Sequence, residues 1–103
     1  MKGAIRLRRP NAAYSTLMTV AMMCLHERQE IVIDETTVDI LLNEGFACTI
    51  IITAVMRTSS SIISVCEEMQ ERIAREIETM TPFKVKHVHI FVKRLIDHQE
   101  KNA

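Results

Sequence analysis

His87 and His89 stand two residues apart in the alternating stretch Val85 to Val92, so on a strand both imidazoles project to one face. Two imidazoles so placed are close enough to share a metal ion, but a zinc site needs a third protein ligand at least. His26 and His98 are the other histidines, and neither has a defining spacing to the pair. Two solvated histidines on a sheet face are therefore the preferred reading. Ser59-Ser60-Ser61 offers hydroxyls for nucleophilic attack, or amides at a helix start for a phosphate. No general base accompanies the run, and helix capping accounts for it. Glu67, Glu68 and Glu71 sit on the solvated helix face among Arg72 and Arg75. A carboxylate pair for acid–base work needs surroundings that separate two proton affinities, which an open helix face does not supply. Gly3 and Gly45 are the sole glycines, so there is neither a P-loop nor a dinucleotide fingerprint. No catalytic, cofactor or metal site is expected.

The three cysteines, Cys24, Cys48 and Cys66, are odd in number, widely spaced and each set in an apolar pattern. They read as buried free thiols, which favours a reducing, cytoplasmic setting. Four basic residues, Arg6, Arg8, Lys84 and Lys86, form a patch if the first and last strands are neighbours. Such a patch would suit an RNA-binding module of KH-like order. Three features weigh against nucleic acid as the partner. Formal net charge is zero, there is no GxxG clamp, and stacking aromatics are scarce, with no Trp, one Tyr and three Phe.

These residues must be positioned by a chain of 103 residues, enough for one domain and one core. With 48 % hydrophobic and 25 % charged residues, the composition is that of an ordinary globular protein with an aliphatic, Met-rich core. Lys2, Arg6, Arg8 and Arg9 before the apolar run Ala12 to Leu25 resemble a signal peptide superficially. The run is too short for a bilayer and lacks small residues ahead of Cys24, so a core helix is the expectation.

The stretch Ser61 to Arg94 organises the rest. Ile62, Cys66, Met69, Ile73, Ile77 and Met80 recur at steps of three and four and form one helical stripe. Glu68 and Arg72, and Glu71 and Arg75, are spaced for helix ion pairs. Pro82 stops the helix, because it disfavours helical geometry at Thr81 and lacks an amide hydrogen. In the strand that follows, Phe83 and Val85 fall on one face and Val88, Ile90 and Val92 on the other. A bulge near Lys86 would turn all of them inward; a plain alternating strand, with Val88, Ile90 and Val92 against the helix, is preferred.

Upstream, Gly3 to Arg8 reads as a first strand broken by Pro10, and Ala12 to Arg28 as a helix with an unusually wide apolar surface. Tyr14, Leu17, Met18, Ala21, Cys24 and Leu25 share its main face, and Val20, Met22 and Met23 widen it. Ile31 to Ile33 reads as an edge strand and Thr36 to Leu42 as a better one. Asn43, Glu44 and Gly45 read as a hairpin turn, and Phe46 to Arg57 as a central strand whose core face is Phe46, Cys48, Ile50, Ile52, Ala54 and Met56. From Leu95 a short tail adds at most a helical turn. The order β-α-β-β-α-β predicts one α+β two-layer domain over residues 1–103, with residues 1–10 as first strand or arm. Its sheet, antiparallel or mixed, has three to five strands and carries two helices.

Val38 to Arg94, a little over half the chain, resembles the bacterial alkaline-shock protein family. The likeness rests on the hairpin, on Ile62-x-x-Val65 … Met69-x-x-x-Ile73-x-x-x-Ile77, on Met80-Thr81, and on Val85-Lys86-x-Val88-x-Ile90-x-Val92. The chain departs from the family pattern at Pro82, where Gly is usual, and at Arg57-Thr58, where a Tyr-Gly pair is usual. Its connection after the first helix is also shorter. The resemblance implies a small non-enzymatic cytoplasmic protein linked to envelope homeostasis and stress. It implies self-association and, for some members, a partner that holds them at the membrane. A homo-oligomer without direct membrane insertion is the expectation.

Overall fold

The computed structural model describes residues 12–59 and 61–97. The first strand expected at Gly3 to Arg8, with Arg6 and Arg8, lies outside the described residues. The elements run α1 (Ala12–His26), a 3-10 turn (Ile33–Glu35), β1 (Thr37–Asn43), β2 (Ala47–Arg57), α2 (Ile62–Met80) and β3 (Lys84–Ile96). The three strands form one mixed sheet in the order β1-β2-β3, antiparallel between β1 and β2 and parallel between β2 and β3. Both helices pack on one side of it, which is an α+β two-layer domain. A hairpin can join antiparallel strands, whereas parallel ones need a crossover; α2 supplies it between β2 and β3.

β2 is central and its alternation sets the core. Cys48, Ile50, Ile52, Ala54 and Met56 have no exposed surface and face the helices. Against them α1 places Leu17, Val20, Ala21, Cys24 and Leu25, and α2 places Val65, Met69, Ile73 and Ile77. Burying each large aliphatic side chain contributes about 1.5–3 kcal/mol, so this layer and not local helix pairing holds the helices down. On α1 the apolar surface is wider than the buried set: Tyr14, Met18 and Met22 are partly covered and Met23 is exposed.

Several expectations are corrected. β3 is not a plain alternating strand. The β2–β3 register shifts between Cys48 and Thr49 and again between Ala54 and Val55, leaving Lys86 and Lys93 as extra residues. The first bulge reverses the side-chain parity, so that Phe83 and Val85 turn to the same core as Val88 and Ile90. Covering four apolar residues on one face outweighs one unpaired residue in the ladder. Val92 sits on that face also, pairing with Ala54, but stays partly open to solvent. Leu95 and Ile96 extend β3 instead of starting a helical turn.

Ile31 to Ile33 is not an edge strand. Ile31 makes a single antiparallel bridge to Met56, and the chain then enters the 3-10 turn. Arg57 clamps the approach, its Nη1 donating to the carbonyls of Gln29 at 2.6 Å and Ile31 at 3.0 Å. Phe46 belongs to the hairpin turn and not to the core face, at 60 % exposure. Gly45 and Phe46 both have positive φ, 72° and 58°, as a tight turn between right-twisted strands requires. Phe46 holds this costly conformation with its ring set edge-on against Phe83 at 5.3 Å. Met80, expected to end the buried stripe, is exposed beyond the last core turn.

The helix ion pairs also differ. Glu68 accepts from Arg28 at 3.1 Å and Arg72 pairs with Glu27 at 3.1 Å, so both tie α2 to residues outside it, while within the helix Arg72 takes Glu76 at 3.3 Å. Ser61 occupies the N-cap position of α2 without a side-chain cap; its amide instead donates to the Ser59 hydroxyl at 3.3 Å. Pro82 behaves as expected: the helix ends at Met80, and the Thr81 hydroxyl donates to the Ile77 carbonyl at 2.8 Å.

Candidate functional site

The face of the sheet away from the helices carries the exposed polar and aromatic residues that the sequence singled out. β2 presents Thr49, Ile51 and Thr53 there, paired with Leu41, Asp39 and Thr37 of β1 and with His87, His89 and Phe91 of β3. One end of this face is closed by the 3-10 turn. Val55, on the same side by alternation, is fully buried, and its amide donates to the buried Thr36 hydroxyl at 3.3 Å. That hydroxyl donates in turn to the Val32 carbonyl at 2.8 Å, and an ion pair joins Glu35 of the turn to Arg94 of β3. Nothing else among the described residues covers this face.

On it, three rings stand in a row. His87 and His89 are stacked, centroids 5.3 Å apart and planes 20° off parallel. His89 and Phe91 follow at 6.3 Å with planes 32° apart. The spacing is that of same-face neighbours on one strand, and all three side chains are exposed. Each bulge places an extra lysine beside this row. Lys86 stands next to His87, where two residues oppose Thr49 alone, and Lys93 stands next to Arg94 opposite Val55. Lys84, Lys86, Lys93 and Arg94 are all exposed, and β3 holds no carboxylate.

Lys84 and Lys86 lie at the start of β3, while Arg6 and Arg8, the other members of the expected patch, lie outside the described residues. For the histidine pair, no group of three or more potential metal ligands occurs among the described residues. The ring row itself was missed as a unit. Its signal is the alternation His87-x-His89-x-Phe91, which puts the three on one face of the strand but does not say that the face is bare.

The outer edge of β3 is unevenly protected. At its start, the Val85 amide donates to Glu78 at 2.8 Å, and the Val88 carbonyl accepts from the Gln70 side-chain amide at 2.8 Å. Both partners are on α2. From His89 to Leu95, no side chain among the described residues caps that edge, and Phe91, Val92 and Leu95 are exposed there.

The thiols lie on the covered side. Burial pushes the Cys24 thiol above the ordinary value, with Glu27 and Glu76 adding to the rise and Arg72 opposing it. Burial likewise raises Cys48, helped by Glu78, and raises Cys66, helped by Glu67. Raised thiols are poor nucleophiles and poor metal ligands. All three are free, and the Cys66 sulfur lies 3.8 Å from that of Met56. No helix among the described residues is long and apolar enough to cross a membrane. Comparison with family models, with curated proteins and with solved structures finds no match for this chain.

Proposed function

We propose that this chain is a non-enzymatic interaction module that works by self-association and by binding a protein partner. The observation that carries the reading is the second half of β3. There an edge strand leaves its outer backbone groups uncapped by any described side chain and displays Val92 and Leu95. Side chains that cap an edge strand's backbone keep another strand from pairing there. Glu78 and Gln70 cap the first half alone, and the second half, though bulged at Lys93 and charged at Lys93 and Arg94, keeps Val92 and Leu95 exposed. The likeness of Val38 to Arg94 to the alkaline-shock family supports the same reading. It extends it to a cytoplasmic role in envelope homeostasis or stress, with membrane association through an anchored partner.

Sedimentation velocity at micromolar concentration tests it. The expected result is a dimer or larger species, converted to monomer in Val92→Lys/Leu95→Lys with an unchanged circular dichroism spectrum. A strictly monomeric wild-type chain would overturn the proposal. A double variant that associates as before would move the contact away from this edge.

A further inference from the structure

We propose, beyond the association reading, that the open face of the sheet binds single-stranded nucleic acid, with bases stacking on His87, His89 and Phe91 and phosphates held by Lys84, Lys86 and Lys93. Three observations lead there independently. The first is the ring row: three exposed rings in sequence on a strand paired along its length to β2, the two histidines stacked on each other. Base–aromatic stacking tolerates any base, because every base has a π-face, so such a row is a platform for single strands. Duplexes do not offer their bases in that way.

The second is charge. Formal net charge is zero for the chain, yet the charge is divided between the layers. α2 bears Glu67, Glu68, Glu71, Glu76 and Glu78 against two arginines, whereas β3 bears four cationic residues and no carboxylate. On the strands of the open face, Asp39 alone is acidic, and it lies on β1, with β2 between it and the rings. Glu35, at the closed end, is taken up by Arg94. A polyanion approaching the ring row therefore meets lysines on both sides of it.

The third is the topology. Parallel strand pairs are ordinarily covered on both faces, because the crossovers that join them bring helices to each side. Here β2 and β3 are parallel and the single crossover helix covers one face. That face, bare among the described residues, carries threonines, histidines and lysines around Ile51, Leu41 and Phe91. The mixture suits a wet, charged ligand with stacking rings better than the wholly apolar layer of a second sheet. Scarcity of aromatics, which argued against nucleic acid in the sequence, loses its force once three rings are found in one line.

Fluorescence anisotropy with end-labelled oligouridylate and oligothymidylate of about 12 nucleotides, within the range of known single-strand sites, tests the proposal on the intact chain. The expected result is saturable binding of the single strands and weaker binding of a duplex of equal length. The affinity should fall with salt on a log–log slope of about −2, the release expected for three phosphate contacts. Phe91→Ala and His89→Ala should each weaken binding on the order of tenfold, and Phe91→Tyr should restore it, since the ring and not the residue is required. Both positions are exposed, so the fold, followed by circular dichroism, should not change. Absence of binding, equal binding of the duplex, or loss on lysine substitution with none on ring substitution would each overturn the proposal. So would ring variants that dissociate an oligomer, which would show the face to be covered by a second copy. A preference between the two oligomers would support it and assign the sugar that the face reads.

Discussion

Ile50 and Ile51 are consecutive residues of the same strand, and the two sides of the sheet they belong to could hardly differ more. Ile50 meets α1 and α2 in a layer without exposed surface, between Cys48 and Ile52. Ile51 stands between Thr49 and Thr53, flanked by Asp39 and His89, on a face that no described helix covers. The backbone ladder is common to both. What separates them is the partner layer: α1 and α2 together satisfy one side of a sheet three strands wide. The folding energy is thereby concentrated on one face, and the other is left free to be polar, cationic and aromatic.

The largest effect should come from testing that asymmetry directly. Ile50→Ala removes a fully buried side chain and is expected to cost about 2–5 kcal/mol in urea unfolding. Ile51→Ala should cost about 1 kcal/mol or less, as for a half-covered residue on an open sheet. Equal losses would mean that the second face is also a packed layer, and the comparison would fail.

A smaller effect is expected where the two faces meet. Thr36 is the buried polar residue of the described chain, and its hydroxyl both accepts from Val55 and donates to Val32. Thr36→Val keeps the shape but leaves the Val55 amide without an acceptor, at a cost of about 1–3 kcal/mol. If the variant is as stable as the wild type, the closure of the open face at this end rests on the Arg57 and Glu35 contacts instead.

The asymmetry was only partly legible in the sequence. Period and punctuation were enough to place both helices, the hairpin and the central strand, because apolar residues at steps of two or three and four have few ways to reach one core. The core residues Cys48, Ile50, Ile52, Met69, Ile73 and Ile77 follow from the same rule. Bulges do not follow from it. At Lys86 the alternation breaks in a way that a plain strand and a bulged one both explain, and the choice depends on how β2 presents Cys48 and Thr49 to it. The ion pairs of Arg28 with Glu68 and Arg72 with Glu27 join residues 40 and 45 positions apart, beyond any helix spacing. The site was hidden for a related reason. His87, His89, Phe91 and the two bulge lysines acquire meaning together only once one face of β3 is seen to carry no described helix.

The smallest effect uses the thiols as reporters of the covered side. Cys48 is on the covered face of β2, and Cys24 and Cys66 on the helices pack into the same layer. Burial, the leading cause in each case, holds all three protonated above the ordinary thiol value of 9.0. In the unfolded chain they ionise near that value, so above it the folded state binds more protons than the unfolded one. The slope of unfolding free energy with pH is then negative. Stability from this source is constant below pH 9.0 and is lost as pH rises through the folded-state values. Unfolding curves recorded across that range should show the decline, and Cys48→Ala, though less stable throughout, should show a shallower one. A wild-type curve that is flat, or one whose slope Cys48→Ala leaves unchanged, would mean that water reaches this thiol. The supposedly dry layer would then be open, and the contrast with the ring-bearing face would be one of degree.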